Sequence, residues 1–157
     1  MIGLKNFDAA GLSGSTKSME TSQRTQIFDT SVFVDYLRGR EEAKSCVLNA
    51  LGENVKPVVS IITIVELWAG VKDKKDERRH KAILLPFKRI PIYSAIAYRA
   101  GELAGAFYRK GDRGISIPDF IIAATAEFIG ADIVTRDKKD FQKINLKNVN
   151  LILYNLE

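Results

Sequence analysis

The sequence predicts an α/β fold: a parallel sheet of about five strands with helices on both faces, in three layers. Two observations carry this expectation. Short apolar runs bounded by cap or turn residues alternate along the chain with stretches of helical period, the pattern of strands joined by right-handed helical crossovers. The 157 residues, 46% hydrophobic and 27% charged, suffice for one domain of ordinary size.

Residues 1–25 include Gly11-Leu12-Ser13-Gly14-Ser15-Thr16-Lys17-Ser18, small and polar without either period, and read as a flexible N-terminal extension or linker. The domain proper, 26–157, opens with a buried strand Gln26-Ile27-Phe28 that ends at Asp29. Thr30 and Ser31 then cap a helix through Leu37, which Gly39 stops. A second helix runs from about Glu41 to Leu51, and a strand follows at Pro57-Val58-Val59. Ser60 caps a helix from Ile61 to Gly70 that is apolar on nearly every side, and such a helix is expected to be buried. The charged run Lys72 to Lys81 continues as a helix into Ile83-Leu84-Leu85, until Pro86 breaks it. Arg89-Ile90-Pro91-Ile92 reads as a strand whose proline suits a sheet edge.

Ser94 caps a long helix to about Lys110, with a stripe of small residues, Ala97, Gly101 and Gly105, that fits core packing and a dimer contact equally well. After the loop Gly111-Asp112-Arg113-Gly114, Pro118 stands near a helix start, where its fixed φ is favourable, and the helix runs to Ile129 before Gly130. A strand Asp132 to Thr135, a short helix Lys138 to Gln142 and a strand Leu151-Ile152-Leu153 complete the chain.

Composition narrows the chemistry. The single Cys46 excludes an internal disulfide framework and a cysteine zinc cluster, and fits a reducing, cytoplasmic setting. The lone His80, inside the charged run, is expected on a solvated helix face, which leaves neither a histidine zinc site nor a histidine-activated nucleophile. No apolar stretch has the length of a membrane span. The net charge of +5 suits a polyanionic partner without specifying one.

Against that basic background, Asp29, Glu66, Asp119 and Asp137 each stand inside or beside an apolar run. A charge placed there costs several kcal/mol unless something compensates it. Asp29, Asp119 and Asp137 could each serve merely as a helix cap or dipole partner, and Asp140 shares that option with Asp137. Glu66, the only charged residue from Pro57 to Val71, has a buried ion pair with Lys or Arg as its plain alternative. Ligands of open α/β sheets collect beyond the carboxyl ends of the strands, and Asp29, Asp119 and Asp137 map to that rim, with Glu66 able to return to it. Three or four acids in one place fit one or two Mg²⁺ or Mn²⁺ ions, which polarise a scissile phosphate and lower the pKa of a bound water.

Asp29-Thr30-Ser31 after a strand, Glu66 in the helix after the second strand, Pro118-Asp119-Phe120-Ile121-Ile122-Ala123-Ala124 opening a late helix, and Thr135-Arg136-Asp137-Lys138-Lys139-Asp140-Phe141 after a strand resemble the acidic signature of PIN-domain ribonucleases, most closely the VapC-type toxins. The resemblance spans about residues 25 to 157. It implies a Mg²⁺-dependent endoribonuclease, with Asp29 and Asp119 as the most direct metal ligands, Glu66 holding metal or its water, and Asp137 supporting the cluster. The last motif often carries Asn where Asp137 stands, so Asp137 and Asp140 compete for the fourth position, with Asp137 favoured. Thr30, Ser31 and Thr135 are expected as hydroxyl partners of the carboxylates. The resemblance further implies an RNA substrate, a cognate antitoxin protein and a homodimer.

Positive flanks for RNA are expected at Arg38 and Arg40, Lys72 to Lys81, Arg109 to Arg113, and Arg136, Lys138 and Lys139, with Tyr36, Tyr108 and Phe141 as candidate stacking rings. A nuclease of RNA maturation or of structured DNA would use the same acids. A phospho-acceptor module of doubly wound type would need a Lys on the last strand, where Leu151-Ile152-Leu153 stands instead.

Overall fold

The structure is a computed structural model that describes residues 23–52 and 54–154. Five parallel strands form the sheet, in the order β3-β2-β1-β4-β5. They are β1 (Arg24–Phe28), β2 (Val55–Ser60), β3 (Lys88–Ile90), β4 (Asp132–Thr135) and β5 (Leu151–Leu153). The helices are α1 (Thr30–Leu37), α2 (Glu41–Gly52), α3 (Ile61–Ala69), α4 (Lys74–Leu84), α5 (Ser94–Arg109), α6 (Ile117–Ile129) and α7 (Lys138–Gln142).

Side chains alternate across the strands and so feed two cores. Ile27, Val58 and Ile133 pack with Ile96, Leu103 and Phe107 of α5 and Phe120, Ile122 and Ala126 of α6. Their neighbours Phe28, Val59 and Val134 pack on the other face with Val32 and Phe33 of α1, Val47 of α2, Leu67 of α3 and Leu84 of α4. Phe28, Phe33 and Phe87 meet there with ring centroids 5.0 to 6.3 Å apart, edge-on or tilted, at about 0.5–1.5 kcal/mol per pair beyond the area they bury. Burial on both faces explains why the strands read as continuous apolar runs rather than alternating ones.

The five strands expected from sequence are present, and β3 lies at a sheet edge. Elsewhere tertiary context changes the reading. β1 starts at Arg24, two residues before the expected domain opening, because Arg24 and Thr25 already pair with Val55 and Lys56 of β2 and Arg24 bridges to Asp132 at 2.9 Å. The rest of the expected extension, residues 1–22, lies outside the described residues. Ser94 is not a cap: Tyr93 holds that position without a side-chain bond. The face of Ala97 and Gly101 points outward, and a Cβ on Gly101 would meet nothing within 4 Å, so the small-residue stripe does not serve core packing.

Two further expectations are corrected. Helix α3 is not buried: Thr63 and Leu67 face inward, but Val65 is 56% and Trp68 41% exposed, because α3 packs against neighbours on one side only. His80 is not solvated: it joins Ile83 and Leu84 on the inner face of α4, with Nδ1 2.8 Å from the Asp76 carbonyl oxygen. The charged run is amphipathic, and a 3.6-residue period carries its histidine inward.

Candidate active site

Strand order reverses between β1, which leads outward to β2 and β3, and β4, which is followed by β5. The rim beyond the carboxyl ends of β1 and β4 is therefore the switch point where open α/β sheets hold ligands. Asp29 stands there. Its backbone N–H donates to the Val134 carbonyl at 2.9 Å, and its extended conformation makes it the N-cap of α1, the option the sequence left open to it, rather than Thr30 or Ser31.

Asp29 is only 3% exposed. Oδ1 accepts from the Thr30 N–H at 2.8 Å, and Oδ2 accepts from Ser31 Oγ and from Thr135 Oγ1, both at 2.8 Å. Among the described residues no Lys or Arg pairs with it. Burial pushes its pKa from 3.8 up to about 6; the hydroxyls of Ser31 and Thr135 oppose the rise, and the charge of Asp119 adds to it. A carboxylate has about four acceptor positions, so three donors leave Oδ1 able to accept one more interaction.

Glu66, the sixth residue of α3, turns back to the same rim. Thr30 Oγ1 donates to its Oε2 at 2.5 Å and lies 3.2 Å from Thr63 Oγ1. Burial raises the Glu66 pKa, Thr30 opposes the rise, and Asp119 again adds to it. The ion pair that would have explained Glu66 as a structural residue is absent among the described residues. Asp119, third in α6, reaches back to the Ser116 N–H at 2.9 Å and to Ser116 Oγ at 2.6 Å, both through Oδ2. It is thus a helix-start partner and also the charge that acts on both other acids.

Asp29, Glu66 and Asp119 accordingly share one electrostatic field, and among the described residues no basic side chain pairs with any of them. The donor set is oxygen only, which is the chemistry of a hard divalent cation. Among the described residues no three His, Cys, Asp or Glu side chains already form a ready metal cage. A hard divalent cation can also be held by one or two carboxylates that leave its other positions to water.

The two candidates for the fourth position differ in their surroundings. Asp137 follows β4 directly; its N–H donates to Thr135 Oγ1 at 2.9 Å, and its carboxylate lies 3.5 Å from Arg136 Nε. Asp140 sits a turn further into α7 and pairs with Lys143 at 3.3 Å, an i,i+3 pair at the surface. Both side chains are nearly half exposed.

Four residues of the site and its support escaped the sequence reading. Ser116 and Thr63 carry no pattern that separates them from ordinary caps and helix residues. Asp35, fully buried, carries the signal that singled out Glu66, an acid within an apolar helix, and Tyr154 bonds to it. Among the expected RNA flanks, Arg40 and Arg136 are committed to Asp35 at 3.3 and 2.8 Å. Phe141 is 2% exposed and belongs to the core, so it offers no stacking face.

The fold and the site define a three-layer α/β protein with an acid-centred site at its switch point. Residues 27–147 match the PIN domain family. Ribonuclease VapC1 of Methanocaldococcus jannaschii is 32% identical over 144 residues, covering 88% of this chain and 93% of the relative. A toxin–antitoxin complex from Klebsiella pneumoniae contains a chain 30% identical, with a TM-score of 0.63 over 80% of this chain and 98% of that one. The structure of VapBC2 from Rickettsia felis, bound to a DNA fragment from its promoter, is similar in fold, with a TM-score of 0.72 at 22% identity over 83% of this chain and 99% of that one. The chain belongs to the PIN-domain family, on its VapC-type branch.

Proposed function

We propose that this chain is an endoribonuclease that depends on a divalent cation, Mg²⁺ with Mn²⁺ as a substitute, and that it acts as the toxin of a toxin–antitoxin pair. The observation that carries this reading is the electrostatic coupling of Asp29 and Glu66 to Asp119, with no basic partner among the described residues, in a chain 32% identical to a ribonuclease. Asp29, Glu66 and Asp119 would hold the cation and Asp137 would support them. A cation bound there supplies positive charge to the scissile phosphate and lowers the pKa of the attacking water.

The chain's own part is orientation. Ser31, Thr135 and the Thr30 amide fix Asp29, Thr30 Oγ1 fixes Glu66, and Ser116 fixes Asp119, so the acids meet substrate without rearranging. Lys138 and Lys139 follow Asp137 directly, form no ion pair among the described residues, and would draw an RNA backbone to the rim. The partners would be a cognate antitoxin and a second copy of the chain, and the setting the cytoplasm. Among the described residues no helix is long and apolar enough to cross a membrane.

The test is cleavage of total RNA by the purified chain with Mg²⁺, with Mn²⁺ and with EDTA, beside Asp119→Asn. Cleavage is expected with either metal, none with EDTA, and a rate at least about 100-fold lower in the variant. Undiminished cleavage by Asp119→Asn would remove the proposed site. Preference for DNA flaps over RNA would move the chain to a structure-specific nuclease.

A further inference from the structure

Behind α1 lies a second buried polar assembly, which the reaction as described does not use. Its centre is Asp35, 0% exposed. Asp35 Oδ1 accepts from Arg136 Nη1 at 2.8 Å and faces Arg40 Nε at 3.3 Å, while Oδ2 accepts from the Tyr154 hydroxyl at 2.8 Å. That hydroxyl also lies 3.4 Å from the Ser31 carbonyl oxygen. The assembly therefore ties α1, the corner after β4, and the residue after β5 to one another.

Arg136 connects this anchor to the acids through its backbone. Its N–H donates to Ser31 Oγ at 3.2 Å, and the next N–H, of Asp137, donates to Thr135 Oγ1 at 2.9 Å. A hydroxyl has a single proton to give. With a lone pair of each hydroxyl taken by these amides, the protons of Ser31 and Thr135 both point at Asp29 Oδ2, at 2.8 Å. The corner 135–137 thus determines where both donors aim, and the Arg136 side chain fixes that corner against α1.

We infer that Arg136, Asp35 and Tyr154 form a positioning unit for the nuclease reaction, orienting Asp29 through the hydroxyls of Ser31 and Thr135 instead of contacting RNA. The inference rests on the nuclease reading of the acids. Partners that orient a metal-binding carboxylate change metal affinity or activity about 10- to 100-fold when they are removed. The rival role for Arg136, a cation that grips the RNA backbone, is opposed by its pairing: Asp35 and Asp137 face its guanidinium at 2.8 and 3.5 Å.

The experiment compares wild type, Tyr154→Phe, Asp35→Asn, Arg136→Gln and Arg136→Lys on one RNA oligonucleotide that the wild type cleaves, with kcat and KM measured separately. Melting curves verify folding, and Mn²⁺ binding without RNA is read by electron paramagnetic resonance. The positioning role predicts that kcat falls about 10- to 100-fold in Asp35→Asn and Arg136→Gln while KM stays within about twofold, and that Mn²⁺ affinity weakens with it. Arg136→Lys recovers part of the loss, since an ammonium can reach Asp35 but lacks the second guanidinium nitrogen that faces Asp137. Wild-type kcat and Mn²⁺ affinity in folded Tyr154→Phe and Asp35→Asn would overturn the inference, as would a rise in KM alone in Arg136→Gln. Should Asp35→Asn fail to fold, Tyr154→Phe decides, because it keeps the ring and removes only the donor. No cleavage of any RNA by wild type would instead sink the nuclease reading, with the Mn²⁺ series still reporting on the orientation of Asp29.

Discussion

Asp29 and Asp35 are six residues apart, one capping α1 and the other within it, and both are buried, at 3% and 0% exposure. Their surroundings differ in kind. Asp35 faces two guanidinium groups and a phenol, the compensation expected for a structural charge. Asp29 has two hydroxyls and one amide, donors that orient a carboxylate without neutralising it, and its pKa rises to about 6. Burial therefore does not separate the acid proposed as functional from the structural one. The presence or absence of a cationic partner does, because only an uncompensated charge leaves a favourable place for a cation from solution.

The sharpest way to break this contrast is to neutralise each acid. Asp29→Asn is expected to lower RNA cleavage at least about 100-fold in single-turnover assays while the protein stays folded, since the transition state loses charge stabilisation worth several kcal/mol. A folded Asp29→Asn with unimpaired cleavage would place the chemistry elsewhere.

Next in size is the pH dependence of stability without divalent metal. Asp29 ionises near 3.8 when unfolded and about 6 when folded, so between these values the native protein keeps a proton that the unfolded chain has released. Stability should fall as pH rises from about 4 to about 6 and remain lower above that, by about 3 kcal/mol for Asp29, with Glu66 acting in the same direction. Urea unfolding in EDTA across that range measures it. Asp29→Asn should flatten the curve, and added Mg²⁺ at neutral pH should raise the unfolding midpoint of wild type only. Equal slopes in the two proteins would show that Asp29 carries no such penalty.

Asp35→Asn should do the opposite at neutral pH and destabilise the fold, by about 1–3 kcal/mol, because hydrogen bonds to a charged acceptor are lost while Arg136 and Arg40 retain access to water. A denaturation midpoint equal to that of wild type would contradict the structural role given to Asp35. The smallest effect belongs to Asp140→Ala: its pair with Lys143 is an exposed i,i+3 contact, and both stability and cleavage should change little, by less than about 0.5 kcal/mol. Asp137→Ala should slow cleavage more than Asp140→Ala does. The reverse order would give the fourth position to Asp140.

Much of the scaffold was legible because it rests on local chemistry. Short apolar runs bounded by caps and glycines marked β1 to β5, and Pro118 and Gly130 bracketed α6. Where the reading failed, composition was mistaken for environment. Helix α3 looked buried from its residues, yet Val65 and Trp68 face outward. His80 looked solvated from its charged neighbours, yet its place on the helical period turns it inward. The same gap separated Glu66 from Asp35: both are acids in apolar helices, and nothing within either helix shows that one meets Thr30 and the other two arginines.

The sequence by itself determined the alternation of strand and helix, the two-faced burial of the sheet, and the placement of acids at the ends of strands and the starts of helices. These depend on residues within a few positions of one another, through periodicity, capping and the cost of a charge among apolar neighbours. Only the tertiary structure decided which acids remain uncompensated. Thr30 and Glu66 are 36 positions apart, Asp29 and Thr135 106, and Asp35 and Tyr154 119. Partners that distant meet only once the parallel sheet has closed and α1 has settled against the corner after β4, so the charge balance of each buried acid is a property of the assembled fold.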